Sequence, residues 1–173
     1  MTKQDDYEAY KGRQAAISRQ RSASGRDIAE DYPAIANPRR RGRCRKSLRL
    51  FCETYNPGAF ALAWSTDHLK AIARIEEAAL HGALYGFAMP RGSGKSTIVR
   101  MAALWAISYG WRRYVFAIGA NDRKGQDTLQ AIKTFVRFLP DYAADFPEIA
   151  YPADRLGGLA QRAAGQLFGG QST

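Results

Sequence analysis

The chain has 173 residues, of which 46% are apolar and 12% aromatic, so it can build one folded domain with a sizeable core. No apolar run approaches the roughly 20 residues that a membrane span needs, and the N-terminus has no apolar signal-peptide core, so a cytoplasmic protein is expected. The formal net charge of +10 favours polyanionic partners such as nucleic acid, although a merely soluble basic surface has the same charge.

Residues 1–46 mix charged residues, Ser and Gln with few large apolar side chains, which predicts a basic N-terminal arm that is helical or partly disordered. Seven cations lie within eleven residues that contain no acid. Such a run predicts a salt-dependent contact with double-stranded DNA, and a solvated basic linker is the alternative interpretation. The seven cations are Arg39, Arg40, Arg41, Arg43, Arg45, Lys46 and Arg49.

The pattern changes at Ser47, so residues 47–173 are predicted to form the folded domain. A short helix is predicted around residues 48–55, and a longer one from a cap at Ser65 or Thr66 to about residue 80. Cys44 and Cys52 have no second cysteine pair near them, so they are expected to be free thiols.

Residues 89–97, with the sequence MPRGSGKST, are typical of a phosphate-binding loop. Glycines can adopt positive φ and let phosphate oxygens approach the backbone, and the helix that follows adds unpaired N–H groups. Lys95 would reach the β/γ-phosphates of ATP and Ser96 would hold Mg²⁺. The predicted nucleotide-binding residues are Arg91, Gly92, Ser93, Gly94, Lys95, Ser96 and Thr97.

One position departs from the usual loop pattern, since Met89 stands where a glycine is common. A glycine-rich turn that binds no nucleotide is the alternative interpretation.

Two short apolar runs, residues 84–89 and 113–119, are of the buried-strand type. Each precedes a segment with helical spacing; the second of these starts at Asn121 or Asp122 and ends at Pro140. Because strands would alternate with helices, the sequence predicts an α/β fold, a partial P-loop NTPase with a parallel sheet flanked by helices.

From about residue 48 to the C-terminus, the chain resembles the N-terminal part of the ATPase domain of phage terminase large subunits, the motors that package viral DNA. The resemblance is carried by the loop and by residues 51–55, 64–69 and 114–121. It implies an ATP-binding chain in the cytoplasm of a bacterial host that contacts DNA. A portal protein, a small terminase subunit and further copies of itself are the implied protein partners.

The resemblance also implies roles for four further side chains. Trp64 and His68 would contact adenine, although the family often has Gln at the position of His68, and ordinary packing of Trp64 is the alternative. Arg91 would touch the γ-phosphate or switch between two positions, and a solvent-facing Arg91 is the alternative. Asp122 is the nearest candidate for a metal-holding catalytic acid, and its position also suits a helix cap.

No apolar strand closed by Asp-Glu follows residue 97, and the chain has no room for the family's nuclease domain. The chain is therefore expected to be a truncated or split terminase, and whether it hydrolyses ATP is left open. The alternatives are another P-loop protein, helicase-like or kinase-like, or a non-enzymatic DNA-binding module.

Overall fold

The computed structural model describes residues 3–26 and 32–155, with side chains described at 6–20 and 32–153. Within these ranges the chain forms eight α-helices. They are α1 (Lys3–Arg26), α2 (Pro38–Cys44), α3 (Leu48–Tyr55), α4 (Thr66–His81), α5 (Lys95–Ser108), α6 (Asp122–Phe138), α7 (Pro140–Asp145) and α8 (Pro147–Arg155).

The predicted α/β fold with a parallel sheet is wrong, because no β-strand occurs among the described residues. Residues 84–89 and 113–119 instead run between helices, and no described backbone hydrogen bond joins the two runs. Leu84 is 97% exposed and Ile118 is 87% exposed. Two such runs alone make a marginal sheet, and a parallel sheet also needs helices over both of its faces. The described part of the chain is therefore not a P-loop NTPase with a sheet.

The predicted helix starts are confirmed by side-chain caps. Ser47 accepts a hydrogen bond from the N–H of Leu50, and Ser65 caps α4 through the N–H of His68. Asn121 caps α6. These bonds satisfy N–H groups that the first helical turn leaves without an intrahelical acceptor.

The core is built around α5, whose Met101 and Trp105 are fully buried. An aromatic cluster on α3, α7 and the end of α5 packs beside it and is centred on Phe51. The ring centroid of Phe51 lies 4.9 Å from that of Tyr55 and 6.1 Å from that of Tyr142, and most pairs are tilted or edge-on, the arrangement that aromatic rings prefer. Cys44 and Cys52 are buried free thiols in the same core.

A buried carboxylate ties α2 to this cluster. Asp145 is fully buried and accepts hydrogen bonds from Arg40 Nε at 2.6 Å, Arg40 Nη2 at 3.0 Å, Tyr55 Oη at 2.9 Å and the N–H of Asn37 at 3.0 Å. Burial by itself raises the pKa of Asp145, but the hydrogen bonds from Arg40 and Tyr55 outweigh it, so the pKa lies below its usual value.

We expect Asp145→Asn to lower the free energy of unfolding by about 3 kcal/mol, because it removes one partner of a buried ion pair. Urea denaturation measures the loss. Asp141→Asn is the matched control, since Asp141 lies on the same helix and pairs with the same Arg40 at 2.7 Å, but its side chain is 57% exposed. Asp141→Asn should lower the free energy of unfolding by less than about 1 kcal/mol. Equal losses in the two variants would contradict a special role for Asp145.

Stability should also depend on pH through Asp145. Since the folded pKa is lowered, the unfolded carboxyl takes up its proton first as the pH falls, so the unfolded state gains protons and the fold loses stability. The stability that Asp145 contributes is fully present above the unfolded pKa of about 3.9, and it is lost as the pH falls through the folded pKa. Acid titration followed by circular dichroism should therefore show the stability gap between wild type and Asp145→Asn narrowing below about pH 4. A constant gap would refute this linkage.

Candidate phosphate-binding loop

A glycine turn leads directly into α5. Gly92 and Gly94 have φ angles of 83° and 75°, in the left-handed region that L side chains rarely adopt. The N–H of Ser93 donates to the Pro90 carbonyl at 3.4 Å, and the N–H of Thr97 donates to the Gly94 carbonyl at 2.9 Å. The turn therefore requires its glycines and places the start of a fourteen-residue helix beside them.

The N-terminus of α5 has no side-chain cap and no acid in its first turn. Within the described residues, no acceptor takes the N–H groups of Lys95 or Ser96. These donors and the positive end of the helix dipole favour an anion at this point. By contrast, α3, α4 and α6 all carry side-chain caps at their N-termini.

Two cations accompany the loop. The ammonium group of Lys95 reaches back over the loop and donates to the Pro90 carbonyl at 3.1 Å, while Arg91 is exposed. Ser96 is exposed at the second position of α5, so its hydroxyl is accessible for a metal ion. Phosphate binding by Lys95 and Mg²⁺ binding by Ser96 stay predictions, and sequence reasoning did not predict the Lys95 contact with the loop.

The hydroxyl of Ser93 is buried and has no hydrogen-bond partner among the described residues. A buried hydroxyl without a partner costs about 1–3 kcal/mol. A ligand oxygen or a water molecule at the loop would relieve this cost.

His68 connects the loop to the start of α4. Its Nε2 lies 2.8 Å from the Ser93 carbonyl oxygen, and its Nδ1 lies 2.8 Å from Ser65 Oγ and 3.3 Å from Ser65 N. A neutral ring that carries its proton on Nε2 satisfies these contacts, since Nδ1 then accepts from the Ser65 N–H. Sequence reasoning missed the bond to the loop, and no local signal predicts it because the partners are 25 residues apart.

Trp64 is packed between α3 and α4. Its Nε1 donates to Glu53 Oε1 at 2.7 Å, and its ring stacks on Phe60 with a centroid distance of 5.1 Å. The hydrogen bond from Arg49 holds the pKa of Glu53 below its usual value, and the bond from Trp64 adds to this effect. Adenine contact by Trp64 and His68 stays a prediction.

Asp122 is the first residue of α6, and it is exposed. The predicted cap falls on its neighbour Asn121, whose side chain accepts from the N–H of Lys124 at 3.0 Å. A metal-binding role for Asp122 stays a prediction. The described residues contain no cluster of three or more His, Cys, Asp or Glu side chains that could hold a metal ion.

The structure separates the seven cations of the basic run into three groups. Arg40, Arg41 and Arg49 form ion pairs with Asp145, Glu148 and Glu53, and Arg45 is exposed with its guanidinium 4.8 Å from the centroid of Trp111. The remaining three are exposed and have no acid partner in the described part of the chain; two of them lie four residues apart on one face of α2, and the third lies in the turn that follows this helix. These three are Arg39, Arg43 and Lys46.

An open groove of about 580 Å³ lies beside the loop helix, between α5 and α6. Thr97 and Arg100 line one side, and Gln130, Thr134 and Phe135 line the other. Thr97 therefore belongs both to the loop region and to the groove.

Comparison with protein-family models, curated proteins and solved structures found no match for this chain. Among the described residues, no helix combines the length and the apolar character that crossing a membrane requires.

Proposed function

We propose that this chain is the ATP-binding part of a phage DNA-packaging motor of the terminase large-subunit kind, working in the cytoplasm of the host. The proposal is carried by the left-handed glycine turn that leads into the uncapped start of α5, with Lys95 as the first residue of the helix. The terminase assignment rests on the sequence resemblance.

Each part of the loop has a defined role toward a triphosphate. The free N–H groups of Lys95 and Ser96 donate to phosphate oxygens, and the helix dipole favours the negative charge. The ammonium group of Lys95 exchanges the neutral Pro90 carbonyl for a charged oxygen, which is a stronger acceptor. Ser96 would hold Mg²⁺, and the ion would supply positive charge that offsets part of the charge of the β- and γ-phosphates.

The exposed side of α2 and the turn after it supply the contact with double-stranded DNA. Arg39 and Arg43 on α2 and Lys46 in the turn have no acid partner within the described residues, so their charges remain available to phosphates. Arg40 and Arg41 form ion pairs with acids of α7 and α8, and these ion pairs hold α2 against the core. Portal protein, small terminase subunit and further copies of the chain are the proposed protein partners.

A DNA-binding module without nucleotide chemistry is the second candidate. The all-helical architecture favours it, because phosphate-binding loops of motor ATPases follow a strand of a sheet, and residues 84–89 form no strand. The two candidates differ in whether the loop binds ATP.

We expect Lys95→Ala to weaken Mg·ATP binding at least tenfold, because the ammonium group then no longer reaches the phosphates; a tenfold loss is about 1.4 kcal/mol. Isothermal calorimetry and the ligand-induced rise in melting temperature measure it. Lys124→Ala is the control, since Lys124 also lies in the first turn of a helix, but behind the side-chain cap Asn121. If folded wild-type protein gives neither heat nor a melting shift, the nucleotide-binding proposal is refuted and the DNA-binding module is favoured.

We expect the triple variant Arg39→Gln, Arg43→Gln and Lys46→Gln to bind duplex DNA more weakly. Each phosphate contact that is lost should reduce the slope of log affinity against log salt by about 0.9. Fluorescence anisotropy with a labelled duplex at several salt concentrations measures this slope. A control that replaces the exposed cations Lys70 and Lys124 together with Lys133 removes the same charge elsewhere. Equal slopes in the two triple variants would show that Arg39, Arg43 and Lys46 have no special contact with DNA.

A further inference from the structure

We propose that His68 is a positioning residue for the phosphate-binding loop: by holding the Ser93 carbonyl, it directs the N–H of Gly94 into the loop. This inference rests on the proposed function, because that proposal is what assigns phosphate binding to the loop. Its geometric part concerns the ligand-free protein and is tested separately.

The peptide bond between Ser93 and Gly94 links the contact of His68 to the donors of the loop. A trans peptide is planar, so its C=O and N–H groups point in opposite directions. The carbonyl oxygen of Ser93 faces His68 on α4 at 2.8 Å, so the N–H of Gly94 points away from α4. Among the described residues, this N–H has no acceptor.

The orientation of this peptide needs an external contact. Gly94 and Gly92 both occupy the left-handed region, and glycine adopts positive and negative φ with similar ease. A peptide next to such residues can rotate at low cost. In the opposite orientation the Ser93 carbonyl would face the anion and repel it. The bond to His68 selects the orientation that gives the anion a donor.

His68 is itself held in place for this task. Its Nδ1 contacts Ser65 in a capping box, and its ring packs edge-on to Trp64 with a centroid distance of 5.9 Å. A capping box needs only an acceptor at this position, and Glu or Gln is its common residue. The second nitrogen of the ring adds the donor to the loop.

Replacing His68 by Asn or by Gln distinguishes its contact with the cap residue Ser65 from its contact with the loop. Asn places a polar atom at the position of Nδ1 and ends there, so His68→Asn retains a group toward Ser65 and loses the donor to Ser93. The amide nitrogen of Gln is as many bonds from Cβ as Nε2 of His, so His68→Gln retains the donor. His81→Asn is the control, because His81 lies in the last turn of the same helix and is exposed.

We expect His68→Asn to weaken tripolyphosphate binding about tenfold, the effect of losing one hydrogen bond of this kind, while His68→Gln stays within about threefold of wild type. His81→Asn should bind like wild type. In ligand-free protein, the backbone amide resonance of Gly94 should move in His68→Asn and stay near its wild-type position in His68→Gln. Calorimetry and ¹H–¹⁵N NMR give the two readouts.

Equal losses in His68→Asn and His68→Gln, or an unmoved Gly94 resonance in His68→Asn, would overturn the positioning role. The NMR readout needs no ligand. If wild-type protein fails to bind tripolyphosphate, the proposed function fails, and the Gly94 resonance then decides the positioning role alone.

Discussion

The buried carboxylate of Asp145 is the constraint on which the rest of the structure depends. It joins α7 to the start of α2, and Asp145 and Asn37 are 108 positions apart in the sequence. Burying a charge is unfavourable unless hydrogen bonds replace its water, and here the Arg40 guanidinium, the Tyr55 hydroxyl and a backbone N–H do so. By joining α7 to α2, Asp145 holds the aromatic cluster around Phe51 against α5. The position of α5 in turn fixes where the glycine turn lies.

The sequence predicted the features that depend on nearby residues. The cap at Ser65 and the helix that follows it are encoded within a few residues, as is the glycine turn before Lys95. The strands were predicted wrongly because an apolar run becomes a strand only when other segments pair with it. Residues 84–89 have the composition of a buried strand, but the described chain provides no such partner.

Distant partners also limited what the sequence could predict for the basic run. Seven cations in eleven residues predicted a surface for DNA, but the sequence could not show that Arg40 and Arg41 would be paired. Their partners lie about a hundred residues away, on α7 and α8. Arg41 also lies 4.4 Å from the ring centroid of Phe146. Two members of the run therefore stabilise the fold, and only those without an acid partner remain available for DNA.

Without a sheet, the proposed phosphate-binding loop depends on helices for its shape. In motor ATPases a strand delivers the chain to the loop, whereas here residues 84–89 approach it along the surface and Phe87 is 42% exposed. The loop is held on its far side by α5 and across its middle by the contact of His68 with the Ser93 carbonyl. On the side of Pro90 the loop is held by its own residues, since the Pro90 carbonyl accepts from the Ser93 N–H at 3.4 Å and from the Lys95 ammonium at 3.1 Å. If the loop binds an anion as proposed, Lys95 must leave this carbonyl to reach the anion, so the affinity would depend on the contacts that hold the loop as well as on its N–H donors.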